Sequence, residues 1–142
     1  MVTIDASVWV AADTDDEAAW EESRTFFERV LSEGIPVHQS ALTLVEVSAA
    51  VARRTGSAAL ARDAGARLLR FPGLLVHPLD LELAGHSAAL SARLGLRGAD
   101  AVYAATARAR GAALVTLNRE LLDRARPLVA VTTPGGWLES RG

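Results

Sequence analysis

The chain of 142 residues contains no cysteine. A disulfide scaffold, a thiolate zinc site and a cysteine nucleophile are thereby excluded. It contains no lysine either, since all 15 basic residues are arginine. No apolar run approaches the roughly 18 residues that a membrane span requires. The start, Met1-Val2-Thr3-Ile4-Asp5, lacks the basic n-region and long apolar h-region of a signal peptide. A cytoplasmic protein with no membrane association is the expectation. A glycine-rich phosphate loop is missing, because Gly135-Gly136 precedes no long helical pattern. The acidic stretch Asp13-Thr14-Asp15-Asp16-Glu17 lacks the ligand ladder of a calcium loop and reads as a solvated helix start. The net charge of −2 argues against a generally basic nucleic-acid binder and leaves room only for a local patch. Arginine alone would serve such a patch well, because its planar fork matches phosphate. An arginine-only, alanine-rich composition also fits a GC-rich genome.

What is present is a single-domain chain, 1–142, half of it apolar, long enough to bury a sizeable core. Short β-branched runs alternate with longer Ala/Leu/Arg stretches. Strands are predicted at Val2–Asp5, Pro36–Ser40, Leu74–Pro78, Ala113–Leu117 and Leu128–Thr132. Helices are predicted at Ala6–Ala12, Glu17–Glu33, Ala41–Arg54, Ser57–Phe71, Leu81–Leu94, Asp100–Arg110 and Arg119–Arg126, with Asp15 or Asp16 as a cap and Gly34 as a stop. The segment from Thr133 to Leu138 reads as a closing turn whose Trp137 packs on the body. Strands spaced by helices imply βαβ units, a parallel sheet and helices on both faces. In such sheets ligands bind beyond the carboxyl ends of the strands.

Three acids stand in apolar surroundings. Asp5 ends the first strand, Glu46 shares a helix face with Leu42, Ala49 and Ala50, and Asp100 opens the nearly all-apolar Ala101–Ala107. Burying an unpaired charge costs several kcal/mol, so such acids pair, protonate or hold a metal. Asp5 and Asp100 each have helix capping as an ordinary explanation, and Glu46 has an arginine partner such as Arg54 or Arg97. A common site is the simplest account of all three, with Asn118 after the fourth strand converging on the same rim. His38, His77 and His86 share no ligand spacing and read as core or surface histidines.

Four pieces in order, Ile4-Asp5-Ala6-Ser7, Ser40-Ala41-Leu42-Thr43-Leu44-Val45-Glu46-Val47, Arg97-Gly98-Ala99-Asp100-Ala101-Val102-Tyr103-Ala104-Ala105 and Leu114-Val115-Thr116-Leu117-Asn118-Arg119-Glu120-Leu121, give the chain its family likeness. It resembles PIN-domain proteins, in particular the VapC-type ribonuclease toxins of type II toxin–antitoxin systems, over essentially its whole length. The resemblance implies a three-layer α/β/α sandwich with a mainly parallel sheet of about five strands. It implies a homodimer, one or two Mg²⁺ or Mn²⁺ ions, cleavage of structured RNA such as tRNA or rRNA, and inhibition by a cognate antitoxin protein. Asp5, Glu46 and Asp100 match the family's first three acids. The fourth position departs from the commoner aspartate: here it is Asn118, whose amide oxygen can still bind a hard cation. Glu120 or Asp123 could substitute for it.

On this reading Asp5 and Asp100 bind the metal directly, and Glu46 either ligates it or takes a proton from the attacking water. Ser7 and Thr116 hold the carboxylates in place. Attack by water would leave a 5′-phosphate and a 3′-hydroxyl. The alternative reading is a PIN-like module that binds RNA or protein without cutting, which Asn118 favours. A phosphohydrolase of another α/β family would want a second aspartate where Ser7 stands. Trp20, Phe26, Phe27, Leu68, Leu69 and Phe71 exceed what one small sheet face can cover, and some of them are expected at a symmetric dimer interface and others under an antitoxin.

Overall fold

Val2, Thr3 and Ile4 form a strand too short to stand alone, and its neighbours on both sides explain why it persists. The computed structural model describes residues 1–15 and 18–142. Its elements run β1 (Val2–Ile4), α1 (Ala6–Ala12), α2 (Trp20–Ser32), β2 (Val37–Ser40), α3 (Leu42–Thr55), α4 (Ala58–Leu69), β3 (Leu74–His77), α5 (Leu81–Leu94), α6 (Gly98–Arg110), β4 (Ala113–Val115), α7 (Arg119–Ala125), β5 (Val131–Thr132) and α8 (Pro134–Ser140). The five strands form one sheet in the order β3-β2-β1-β4-β5, with every pair parallel. The first half of the chain builds the sheet outward from β1 in one direction, and β4 and β5 extend it in the other. The switch between the two directions lies beside β1, where open α/β sheets place their ligands.

The two faces of the sheet carry separate cores. Successive residues of a strand point to opposite faces. Leu114 accordingly joins Leu90, Tyr103, Leu121 and the alanines of α6 on one side. Val115 joins Val2, Ile4, Val8, Phe26, Val30, Val37 and Trp137 on the other. A third cluster, Val47, Val51, Ala61, Ala64 and Leu68, joins α3 to α4. Each fully buried aliphatic or aromatic side chain contributes about 1.5–3 kcal/mol. The helix α6 is buried continuously from Ala101 to Ala107 and packs on β1, β2 and β4. Its small alanines let it lie close to the sheet. The result is a three-layer α/β/α sandwich.

Several boundaries differ from the sequence expectation, each for a local reason. The segment at Thr133 is a helix rather than a turn: Thr133 Oγ1 accepts the Gly136 N–H at 3.0 Å and Pro134 occupies the first turn. Proline at that position gives up an N–H that would be unpaired anyway. Trp137 of this helix packs edge-on to Phe26, with ring centroids 5.0 Å apart. Helix α2 begins at Trp20 with Ala19 as its cap residue, so Asp15 does not cap it. Asp16 and Glu17 lie outside the described residues. Helix α6 begins at Gly98, two residues before the expected start at Asp100. Phe26, Phe27 and Leu68, counted above as candidates for an interface, are buried within the chain.

Backbone pairing between β1 and β2 is limited to Val2 opposite Val37. A side chain continues it. The buried Gln39 accepts the Ile4 N–H on Oε1 at 2.6 Å and donates from Nε2 to the Ile4 carbonyl at 2.8 Å. The same Nε2 donates to Thr43 Oγ1 at 2.8 Å. The amide thus stands in for a strand peptide beside the last residue of β1. Leaving a buried donor and acceptor unpaired costs about 1–3 kcal/mol each. Gln39→Leu should therefore lower unfolding stability by about 2–4 kcal/mol in urea denaturation. A loss well under 1 kcal/mol would show that Ile4 has other partners.

Candidate active site

Asp5 follows β1 immediately, so its position is set by the centre of the sheet. Its N–H donates to the Val115 carbonyl at 2.9 Å, continuing the ladder to β4. The residue occupies the cap position of α1, yet its side chain makes no capping bond. The carboxylate turns to two hydroxyls instead. Oδ2 accepts from Ser7 Oγ at 2.7 Å and from Thr116 Oγ1 at 2.8 Å. Each hydroxyl is oriented in turn by the strand-to-helix turn after β4. Leu117 N–H donates to Ser7 Oγ at 3.2 Å, and Asn118 N–H donates to Thr116 Oγ1 at 3.0 Å. The network fixes Asp5 from two elements far apart in sequence and leaves Oδ1 without a protein donor among the described residues.

Glu46 lies on α3, one turn in from its start, and is half-buried. Burial raises its pKa, the charge of Asp5 raises it further, and Arg53 opposes both. No ion pair to Arg54 or Arg97 forms among the described residues. Asp100 is the third residue of α6, where a carboxylate also suits the positive end of the helix dipole. Burial first, and then Asp5, push its pKa up to about 6; Arg97 pulls against them, while Glu120 and Glu46 add to the rise. Beneath, Tyr103 is wholly buried, and burial together with the charges of Asp5 and Glu46 raises the pKa of its phenol.

These residues share an open cleft of about 410 Å³ at the carboxyl ends of the strands. Asp5, Ser7, Glu46, Arg53, Asp100 and Asn118 line it. Asn118 lines it by its place at the start of α7, and its side-chain oxygen accepts the N–H groups of Glu120 and Leu121 at 3.0 and 3.2 Å. That oxygen therefore caps the helix. Glu120 pairs with Arg124 at 3.3 Å, and Asp123 is exposed on α7; neither lines the cleft.

The donors around the cleft are carboxylate oxygens, the ligand type that Mg²⁺ and Mn²⁺ take, and such ions keep several waters and need only one or two carboxylates. By donor chemistry the residues fit a hard divalent cation. They do not form a ready cage: among the described residues no three Asp, Glu, His or Cys side chains close to coordination distance. Burial first, and then the like charges around them, raise the pKa values of Glu46 and Asp100.

Two residues of consequence were not singled out from the sequence. Gln39 anchors the strand that leads into Asp5, and Arg53 supplies the only cation among the described residues of the cleft lining. A glutamine inside an apolar strand with a threonine four residues later was the available signal for the first. Away from the cleft, His38 Nδ1 and His77 Nε2 lie 2.8 Å apart, and Arg110 contacts His77 Nδ1 at 3.0 Å. His38 and His77 thus pair with each other, which their spacing in sequence did not suggest.

The PIN domain family model matches residues 2–127. The chain belongs to the PIN-domain family. Its fold is also that of solved structures of low identity. VapC20 from Mycobacterium tuberculosis, described as a sarcin–ricin loop cleaving toxin, matches with a TM-score of 0.73 and 21% identity over 92% of this chain and 98% of that one. FitAcB from Neisseria gonorrhoeae matches at 0.71 and 22%, covering 94% and 98%. VapBC2 from Rickettsia felis, bound to a promoter DNA fragment, matches at 0.71 and 16%, covering 94% and 98%. A search of curated protein sequences finds no match.

The raised pKa of Asp100 in this PIN domain has a consequence for stability. An acid whose folded pKa exceeds its unfolded value adds stability below the unfolded value, about 4, and loses it as the pH rises through the folded value. In EDTA, melting temperature should therefore fall from pH 4.5 to 7 through this group's contribution. Asp100→Asn should raise the midpoint at pH 7 and flatten the dependence. A variant that melts below the wild type at pH 7 would contradict the assignment of strain to the clustered acids.

Proposed function

We propose that this PIN domain is a divalent-metal-dependent endoribonuclease, the toxin of a toxin–antitoxin pair, that hydrolyses structured RNA such as tRNA or rRNA. The observation that carries the reading is one cleft lined by Asp5, Glu46 and Asp100, with Asp5 held by Ser7 and Thr116. Family membership and the toxin structures of like fold support it. Asp5 and Asp100 would hold Mg²⁺ or Mn²⁺, with Asn118, whose oxygen also caps α7, as a further donor. When bound, the cation supplies positive charge to the scissile phosphate and makes water a better nucleophile. Ser7 and Thr116 keep the Asp5 carboxylate in one rotamer. Glu46 accepts the proton of the attacking water, a role that its raised pKa suits. The products are a 5′-phosphate and a 3′-hydroxyl.

The second reading, a PIN-like module that binds RNA or protein without cutting, is favoured by Asn118, which removes one negative charge from the metal site and commits its oxygen to backbone. Purified protein incubated with total tRNA and rRNA separates the two. Cleavage should appear with Mg²⁺ or Mn²⁺, vanish in EDTA, and fall at least about 100-fold in Asp5→Asn and Asp100→Asn. RNA retention in a binding assay with no cleavage under any metal would establish the second reading.

The partner surfaces follow from apolar exposure. A groove of about 290 Å³ between α1, α2, α3 and α4 is walled by Trp9, Phe27, Leu31, Val47, Leu68 and Phe71. Arg24, Glu28, Arg67 and Asp13 also line it. An apolar antitoxin helix suits this groove, and toxin–antitoxin complexes among the like-folded structures support the idea. For the homodimer, the edge strand β3 with Leu75 and Val76, together with Leu79 and Leu81, offers exposed apolar side chains that Phe26 and Phe27 do not. No described helix is long and apolar enough to cross a membrane, and an RNA-cutting toxin would act in the cytoplasm. Light scattering at micromolar concentration should report a dimer that Leu81→Glu weakens. A monomeric wild type would reject it.

A further inference from the structure

A cleft lined by three carboxylates repels the phosphodiester it is meant to receive. Even with a divalent cation in place, the phosphates on either side of the reacting one remain uncompensated. Arg53 is the single cation among the described residues that line the cleft. It stands seven residues after Glu46 on α3, so the two share one helix face. Ala50 lies between them on that face and also lines the cleft, leaving the space above it open. Two helical turns, about 10 Å along the axis, separate Glu46 from Arg53.

The Arg53 side chain is exposed, and it takes no part in the five ion pairs found among the described residues. Arg24, Arg29 and Arg124 each pair with a glutamate one turn away, whereas the nearest acid along α3, Glu46, is two turns from Arg53. An unpaired guanidinium beside acids keeps all its donors for a ligand.

We propose that Arg53 binds the RNA backbone at a phosphate flanking the scissile one, and so fixes the path of the strand across the cleft. The proposal rests on the nuclease reading above. The planar fork of arginine donates two parallel hydrogen bonds to phosphate oxygens, which orients the strand as well as attracting it. The ordinary explanation is that Arg53 only complements the dipole at the end of α3. Arg54 shares that last turn but does not line the cleft, and it therefore serves as an internal control.

The test compares Arg53→Gln, Arg53→Lys and Arg54→Gln with the wild type. Binding of a fluorescein-labelled RNA hairpin is measured by anisotropy in EDTA over a range of salt, and cleavage of total tRNA and rRNA is measured with Mg²⁺. Arg53→Gln should weaken hairpin binding about tenfold. It should also reduce the slope of log K against log salt by about 0.7 to 0.9, the loss of one phosphate contact. In cleavage it should raise KM with little change in kcat, since a flanking contact is kept from ground state to transition state. Arg53→Lys should fall between, and Arg54→Gln should match the wild type. Equal losses in Arg53→Gln and Arg54→Gln, or none in either while the wild type binds and cuts RNA, would overturn the role of Arg53 alone. A wild type that neither binds nor cuts any RNA would overturn the nuclease reading, and this role with it.

Discussion

The hydrogen bond from Thr116 to Asp5 joins residues 111 positions apart in sequence, and the candidate active site depends on it. It can form only if β4 lies beside β1, because Asp5 and Thr116 follow adjacent parallel strands. On the other side of β1, Gln39 completes the pairing that the backbone of β2 leaves unfinished. The central strand is three residues long, and its end is held from left and right by side chains. The carboxylate therefore inherits the rigidity of the sheet rather than the mobility of a loop.

Around that fixed point the acids are placed at an energetic cost. Glu46 and Asp100 sit half-buried near Asp5, and both are harder to ionise than free carboxylic acids. A site that accumulates like charge is destabilising by itself, and a cation bound to the folded state offsets that cost by mass action. The helix α6 moderates it by presenting its N-terminus to Asp100. The same helix is alanine-rich and buried, so its position against β1, β2 and β4 is set by close packing. Packing energy thus holds Asp100 against repulsion.

The α1 and α3 helices each serve two clefts. On α1, Ser7 belongs to the acidic cleft and Trp9 to the apolar groove. On α3, Glu46 belongs to the first and Val47 to the second. Residues one or two apart on a helix point in different directions, so a single element borders both surfaces without mixing their chemistry. A partner seated in the apolar groove would therefore touch α1, which carries Ser7, and α3, which carries Glu46.

Alternation of apolar strands with alanine-rich helices determined the layered α/β class, because periodicity is a local property of the chain. The three acids were visible for the same reason: each interrupts an apolar pattern, and burial of an unpaired charge demands an explanation. The chain's family could be read from motif order alone. Helix ends such as that of α2, and the final helix behind Thr133, depended on hydrogen bonds too local or too weak to be resolved from pattern. What tertiary structure alone decided was the role of each polar group within the cleft. Asp5 could have capped α1, as its position in sequence allowed, but the strand order brought Thr116 to the carboxylate oxygen that Ser7 also holds. Asn118 lines the cleft because α7 starts at its rim, while its oxygen also accepts two N–H groups of that helix. Arg53 and Arg54 are equivalent in composition and propensity; only the rotation of α3 against the sheet sends one of them to the cleft. Which partner a polar side chain meets depends on distances between elements remote in sequence, and no local pattern encodes those distances.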